Sequence, residues 1–488
     1  MLEPATEPTT TAPPRMPAAP PPHRPATDWA AARAEEHLRG VFAPVDDELD
    51  VADLPVRGTL PPDLRGTYLR NGPNPQFPPI GEYTYPFDGD GMLHAVRFAD
   101  GKARYRNRFI VTRDLAVERR AGRALYGGLL SPVTPDFPDA DPDPVKNVSN
   151  TSFVAHAGKV LSLWEGGPPY ELTDDLGTLG EYTFQGALPG AFTAHPKLDP
   201  VWDEMCWFRV APEPPYLVYG VVDPRGRISR TTPIDIPRPV YMHDFAITSQ
   251  HVVFFDSPAV LDPAAGARGG PPLAWDESAG TRIGVLEREG DHAVRWFPVE
   301  NRFAMHVMNA HTAGHRVVVD YVHRRAFAVD QHGLPDQAPK LYRTTIDLSI
   351  GTVTDELLDG AIVELPRIDD RRTGLEYRYG YTAAQLRGGR GPFGGAFDTL
   401  QQYDFRTSAV VQHSLPEGVV VGEPQFVARP GGTDETDGWV LAFTYDTTRD
   451  ASELVVLRAE DFAAPPVASI PLPRRVPAGL HGTWLPAH

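Results

Sequence analysis

Downstream of Gly40 the chain is built almost entirely of short runs in which large apolar and polar residues alternate. Tyr241-Met242-His243-Asp244-Phe245-Ala246-Ile247-Thr248 has the period of a half-buried strand, and Ser249-Gln250 turns it into His251-Val252-Val253-Phe254-Phe255, which predicts a hairpin. Lys159 to Trp164, Arg316 to Tyr321, Trp439 to Tyr445 and Glu453 to Leu457 carry the same pattern. Asp223-Pro224-Arg225-Gly226, Asp262-Pro263 and Pro430-Gly431-Gly432 punctuate these runs as turns. Upstream, one helix is expected: Thr27-Asp28 caps it, Trp29 to Arg39 is rich in Ala, Glu and Arg, and Gly40 ends it. Residues 1–26, with Pro4, Pro8, Pro13, Pro14 and Pro17 among Thr and Ala, are expected to be a disordered or polyproline-like tail. Residues 27–488 are then expected to form one all-β domain. So many short strands without a linker exceed one sandwich, and radial repetition into a β-propeller is the natural solution. No WD or kelch-type repeat marks the blades.

Composition narrows the partners. Across 488 residues 46 Lys and Arg face 64 Asp and Glu, a formal charge of −18, which argues against a nucleic-acid scaffold. Hydrophobic residues make up 41% and aromatics 10%, enough for a sizeable core. No run approaches the roughly 18 apolar residues of a membrane-spanning helix. The N-terminus lacks a basic stretch followed by an apolar one, so a cytoplasmic location is expected. The single cysteine, Cys206 in Met205-Cys206-Trp207-Phe208, excludes an internal disulfide and reads as a buried structural thiol.

Several familiar motifs have plainer readings. Gly389-Arg390-Gly391-Pro392-Phe393-Gly394 fits a dinucleotide fingerprint in letters only, since Pro392 obstructs the helix that should follow; a surface loop is expected. Asp88-Gly89-Asp90-Gly91 lacks the terminal Glu of a calcium loop and reads as a tight turn. The sequons at Asn147 and Asn150 are expected to be chance. Of 16 histidines, the informative ones sit in apolar, strand-like segments: His195, His243, His306 and His481. Each alone reads as an ordinary core histidine, and no local metal motif joins them. A propeller can nevertheless gather them, because the inner strand of every blade faces one axis.

Six ordered segments then share one likeness: Tyr68-Leu69-Arg70-Asn71-Gly72-Pro73-Asn74-Pro75, Phe87-Asp88-Gly89-Asp90-Gly91-Met92, Thr193-Ala194-His195-Pro196, Met242-His243-Asp244-Phe245, Glu364-Leu365-Pro366-Arg367-Ile368-Asp369 and His481-Gly482-Thr483-Trp484. Together they resemble the carotenoid cleavage oxygenases, from about His37 to the C-terminus. The resemblance implies a seven-bladed β-propeller with a few short helices and loops capping a metal axis. It implies one Fe(II) held by four histidines and a reaction in which O2 splits a conjugated C=C bond into two carbonyl products. By motif the ligands are His195, His243, His306 and His481, with His311 as the alternative to His306. The carboxylates behind them are Glu165, Glu364 and Glu423, leaving one His without such a partner. Thr151 matches the residue that crowds an open coordination position. Four neutral imidazoles suit iron, and each needs its other ring nitrogen held to fix its aim.

The resemblance also bears on substrate. Stilbene-cleaving relatives typically carry Lys immediately before the first of these glutamates; here the residue is Trp164. A flat apolar ring favours a hydrocarbon chain, so a carotenoid or apocarotenal is expected, with Tyr241 also facing the tunnel and a stilbenoid as the alternative. A polyene isomerase, or a protein that merely binds one, belongs to other function classes that O2 consumption would separate. No protein partner is expected. The apolar segment Ala124 to Val133 reads either as a loop touching a membrane or as a core connection.

Overall fold

The computed structural model describes residues 29–487, except 33–34, 81–82, 84, 130–131, 144, 263–271, 291–292, 328–337 and 389–396. The Pro-rich tail, the Thr27-Asp28 cap, Pro263 and the Gly389–Gly394 motif therefore lie outside the described residues.

Seven antiparallel sheets of four to six strands follow one another around a ring, with a two-stranded sheet, Ala259–Leu261 paired to Leu273–Trp275, beside them. The seven are the blades of a seven-bladed β-propeller. The inner strands of blades two to six are Ser152–His156, Lys197–Asp199, Ala246–Ile247, Phe303–Ala313 and Ile362–Ile368. In blade seven, Gln425–Ala428 pairs with Gly438–Asp446, as does Val419–Val421. Blade one is closed from both ends of the sequence: C-terminal Gly482–Pro486 lies along Gly66–Arg70, with Arg70 opposite Gly482. Likewise the early strand Arg57–Gly58 completes blade seven against Ala468–Pro471. Neither closing pair is local in sequence, so the ring forms only when its ends meet.

Alternation explains the blades. In Glu204–Val210, Met205 and Trp207 join one apolar cluster while Cys206 and Phe208 join the next. Both faces of an inner or middle strand are therefore buried. Each neighbouring pair of blades has its own cluster of this kind. Outermost strands such as Thr352–Asp359 are largely exposed. Cys206 is fully buried and receives the Tyr219 hydroxyl at 3.2 Å, as a structural thiol should.

Three sequence expectations need correction. Trp29 to Arg39 is not one helix: among the described residues Trp29–Ala32 is α-helical, and two 3-10 turns, Glu36–Leu38 and Gly40–Phe42, follow. Gly40 opens the second turn at φ +57° rather than ending a helix. The strand expected from Tyr241 shrinks to Ala246–Ile247, although its hairpin with His251–Asp256 forms. The preceding residues, Tyr241 to Phe245, belong to no strand, although the Tyr241 N–H donates to the Ala259 carbonyl at 2.7 Å. A helix at Arg113–Ala121 escaped the sequence pattern. Its signal was there: the Thr112 side chain accepts from the Leu115 N–H, and Gly122 closes the helix in the left-handed conformation. Its Leu115 packs with Val45, Phe77, Met92 and Phe109, while segments around Phe42, Phe87 and Val476 line the central cavity as a cap. Leu125 and Tyr126 are in the core, and Leu129 faces the central cavity, so these residues of the apolar segment act as a core connection. Leu130 and Ser131 lie outside the described residues.

Candidate metal centre

Every blade delivers one polar side chain to the axis, at or just before its inner strand. In chain order these are Thr151, His195, His243, His306, Glu364, Glu423 and, closing the ring on blade one, His481. The second strand of blade two ends at Leu163 and adds Trp164 and Glu165. Repeated architecture therefore brings together residues that nothing local connects.

The irregularities lie where the site needs them. Register shifts interrupt the strand between Ala304 and Val307, which encloses His306, and again between Val307 and Asn309. Another separates Glu364 from Arg367, and Leu365 within it has φ +55°, strained for a branched side chain. Bulges of this kind re-aim side chains out of the plain alternation.

His195, His243, His306 and His481 place one ring nitrogen each within 4.8 Å of all the others. His195 Nε2 lies 3.0 Å from His243 Nε2. The opposite ring nitrogens are held from behind. His306 Nδ1 meets Glu364 Oε2 at 2.6 Å and His481 Nδ1 meets Glu423 Oε1 at 2.8 Å. His243 Nδ1 lies 2.9 Å from Glu165 Oε2 and 3.0 Å from the Tyr241 hydroxyl. His195 has no carboxylate partner among the described residues. His311, on the same strand as His306, stands outside the group.

The carboxylates are held in turn. Tyr241 donates its hydroxyl to Glu165 Oε1 at 2.7 Å. Arg324 donates to Glu364 Oε1 at 3.0 Å. Glu423 Oε2 takes the Gly482 N–H at 2.7 Å and Arg367 at 3.3 Å. Burial pushes Glu423 up, but Arg367 and His481 outweigh it and leave the carboxyl at about 2. Burial likewise opposes His306 and Arg324 at Glu364, which ends well below the usual carboxylate range. His195 is pushed well down, by burial first and then by the other rings. His481 is lowered by burial against the pull of Glu423, whereas at His243 the pull of Glu165 exceeds burial and raises it.

Ionised carboxylates on the Nδ1 side place the ring protons there and turn the Nε2 lone pairs inward. His306 Nε2 is buried and has no hydrogen-bond partner. Converging lone pairs repel unless a cation lies between them, so the donor set fits a metal ion that accepts imidazole nitrogen, iron included.

Two cavities meet at this group. The larger, about 610 Å3, is lined by Thr151, Trp164, Glu165, Tyr241, His243, His306 and His481 at the axis. Leu129, Met305, Phe327 and Phe397 make its farther walls apolar. The smaller, about 180 Å3, lies against His195, His306 and His481 with Lys197, Asp244 and Arg367. His306 and His481 thus form the partition between an apolar chamber and a polar one. Thr151 donates its hydroxyl to Asn150 Oδ1 at 3.1 Å, which leaves its methyl as the apolar part of the side chain. A side chain at Gly166 would collide with the Trp164 ring, its Cβ standing 2.2 Å from the indole.

All ten residues named from the sequence converge on this axis. Pattern reading missed Arg324 and Arg367, which hold two of the glutamates, and the clamp of Tyr241 on Glu165. Arg367 carried a signal, a cation three residues beyond a Glu in an apolar strand. Asn150 is buried, its amide donating to the carbonyls of Phe87 and Gly89, so that sequon is structural. In the Asp88–Gly91 turn, Asp90 takes Lys146 and the Gln76 N–H.

Comparison with known proteins gives the same direction. The model of the retinal pigment epithelial membrane protein family matches residues 42–486. A carotenoid cleavage oxygenase of Mycobacterium tuberculosis is 34% identical, covering 94% of this chain and 99% of its own. An isoeugenol monooxygenase of Pseudomonas nitroreducens is 32% identical over 93% of this chain and 98% of its own. The crystal structure of the lignostilbene dioxygenase of Pseudomonas brassicacearum superimposes with a TM-score of 0.86 at 32% identity, covering 92% of this chain and 98% of that one.

Proposed function

The chain belongs to the retinal pigment epithelial membrane protein family, the family of the carotenoid oxygenases, and from that premise we propose a non-haem Fe(II) dioxygenase that cleaves a conjugated C=C bond of a carotenoid or apocarotenal with O2, giving two carbonyl products. The carrying observation is the convergence of four imidazoles, three of them held from behind by buried or half-buried glutamates, at the end of an apolar chamber.

In this reading His195, His243, His306 and His481 hold one Fe(II), and the iron supplies the activation of O2. Three glutamates offset its charge, since neutral imidazoles leave it uncompensated. Two arginines and a tyrosine keep those glutamates ionised and aimed, so the imidazoles keep one tautomer. The chamber excludes water and lays one double bond beside the axis, with Trp164 and Tyr241 as flat walls. Thr151 lines the cavity with its hydroxyl held by Asn150 and would narrow what can bind beside the metal. The chemistry needs no conventional general base.

Trp164 is the residue that favours a polyene over a phenol. A stilbenoid is the second reading, supported by the likeness to the lignostilbene dioxygenase and the isoeugenol monooxygenase. The test is O2 uptake by the Fe(II)-loaded protein with a long apocarotenal and with a hydroxystilbene, side by side. Uptake with the polyene and release of a shorter aldehyde is expected. Uptake with the stilbene alone would discard the polyene reading and keep the metal centre. No uptake with either would move the protein toward polyene isomerisation or binding.

A further inference from the structure

One buried cation on the wall of the large cavity has no hydrogen-bonding or ionic partner among the described residues. Arg70, the last residue of Gly66–Arg70, is only 5% exposed and lines that cavity. Among the described residues no hydrogen bond or ion pair involves its side chain, and its Nε is enclosed without a partner. The other arginines near the centre differ: Arg324 and Arg367 are engaged with Glu364 and Glu423. Arg209 also lines this wall and its Nε is likewise enclosed without a partner, but the residue as a whole is half-buried, whereas Arg70 is buried.

The position of Arg70 is built. A Cβ on Gly422 would come within 3.1 Å of Nη2, and one on Gly479 within 3.1 Å of both Cζ and Nε. A Cβ at either glycine would press on the guanidinium, and at Gly479 it would also meet the Asn71 carbonyl at 2.7 Å; both glycines line the cavity. Phe443 lies 6.0 Å from the guanidinium carbon. The acid that acts on Arg70, Glu423, is already taken by His481, Arg367 and the Gly482 N–H. Tyr68, two residues back on the same strand face, has a buried hydroxyl that is also without a partner.

A guanidinium stays charged in proteins, and a buried charge without a partner is costly. An acceptor oxygen delivered through the cavity offsets that cost, and a planar fork suits a carbonyl, carboxylate or phenolate oxygen. We propose that Arg70 is a specificity residue that receives an oxygen carried at the end of the conjugated substrate. This deepens the oxygenase reading and rests on its claim that the cavity takes a conjugated substrate. It makes an oxygen-terminated molecule the preferred ligand and an unsubstituted hydrocarbon a poor one.

The test uses the full-length, iron-loaded protein held anaerobically, so that binding is read without turnover. Quenching of tryptophan fluorescence is titrated with two matched pairs: a polyene ending in an aldehyde or acid against the same polyene ending in methyl, and a hydroxystilbene against plain stilbene. Wild-type protein is expected to bind the oxygenated member of one pair about tenfold to a hundredfold more tightly, the value of a hydrogen bond to a charged group. The pair showing the preference identifies its source, and either supports the proposal. Arg70→Met is expected to lose the preference, and Arg70→Lys, which keeps the charge but not the fork, to retain part of it. Equal binding within both pairs by wild type overturns the proposal. So does an equal loss for both members in Arg70→Met, since that marks a purely structural role. If Arg70→Met does not fold, wild type and Arg70→Lys decide. Air is then admitted: a binding preference without O2 uptake overturns the oxygenase reading and leaves that of Arg70 standing.

Discussion

At the scale of single residues, the decisive contrast is between His306 and His311. They share one strand, yet only His306 joins the other rings: their odd spacing sets them on opposite faces of a plain alternation, and a register shift encloses His306. His306→Ala is therefore expected to lose bound iron and O2 uptake together, measured by metal analysis and an oxygen electrode. His311→Ala is expected to keep both, and iron retained by His306→Ala would overturn the ligand assignment. Trp164 invites a second test. Replacing it with Ala removes a flat wall from the chamber and should lower kcat/KM for a long polyene roughly tenfold or more. Unchanged kinetics would show that the ring does not meet substrate. The ligand histidines and their glutamates were legible because motif order survives in sequence. Arg324 and Arg70 were not, because an arginine's role depends on whether a carboxylate reaches it, and that is a matter of packing.

At the scale of elements, the cap shows what pattern reading can lose. The Arg113–Ala121 helix and the 3-10 turn Pro86–Asp88 are brief insertions among strands, too short for a clear period. Their interior is polar as well as apolar: Lys146 bridges Asp90 and Glu118 at 2.8 Å each, and Asp88 Oδ1 accepts the Leu129 N–H at 2.9 Å. Burial pushes the Asp88 carboxyl up to about 7, with that hydrogen bond and Lys146 pulling the other way. The unfolded value lies near 4. Between the two, the folded protein holds a proton that the unfolded chain has released. This group's contribution to stability is thus present below pH 4 and lost as the pH rises to about 7. Denaturant titrations across that window should show the decline, and Asp88→Asn should flatten it. An unchanged slope in the variant would place the titration elsewhere. The strands, by contrast, were legible wherever alternation was regular, as in Lys159–Leu163 and Gly438–Asp446.

At the scale of the whole molecule, ring closure and metal binding depend on the same junction. Gly482–Pro486 seals blade one, and His481 stands immediately before it. The N-terminal side differs. Residues 1–26 precede every blade, and we propose that residues 27–488 are one oxygenase unit; a chain begun at Ala26 should retain full O2 uptake and an unchanged Tm. Loss of either would assign the tail a part in the propeller. Alternation along the chain was sufficient to specify short strands, and the ordered motifs specified the family and with it the seven-bladed ring; that both faces of the inner and middle strands are buried came from the packing of neighbouring blades. These are properties of local pattern and residue identity, which a sequence carries directly. Only the tertiary structure decided which histidine of blade five turns inward, which cations hold the glutamates and which one is left without a partner. Those outcomes depend on distances between blades far apart in sequence, and on register shifts whose strain is borne only once the neighbouring blades have packed.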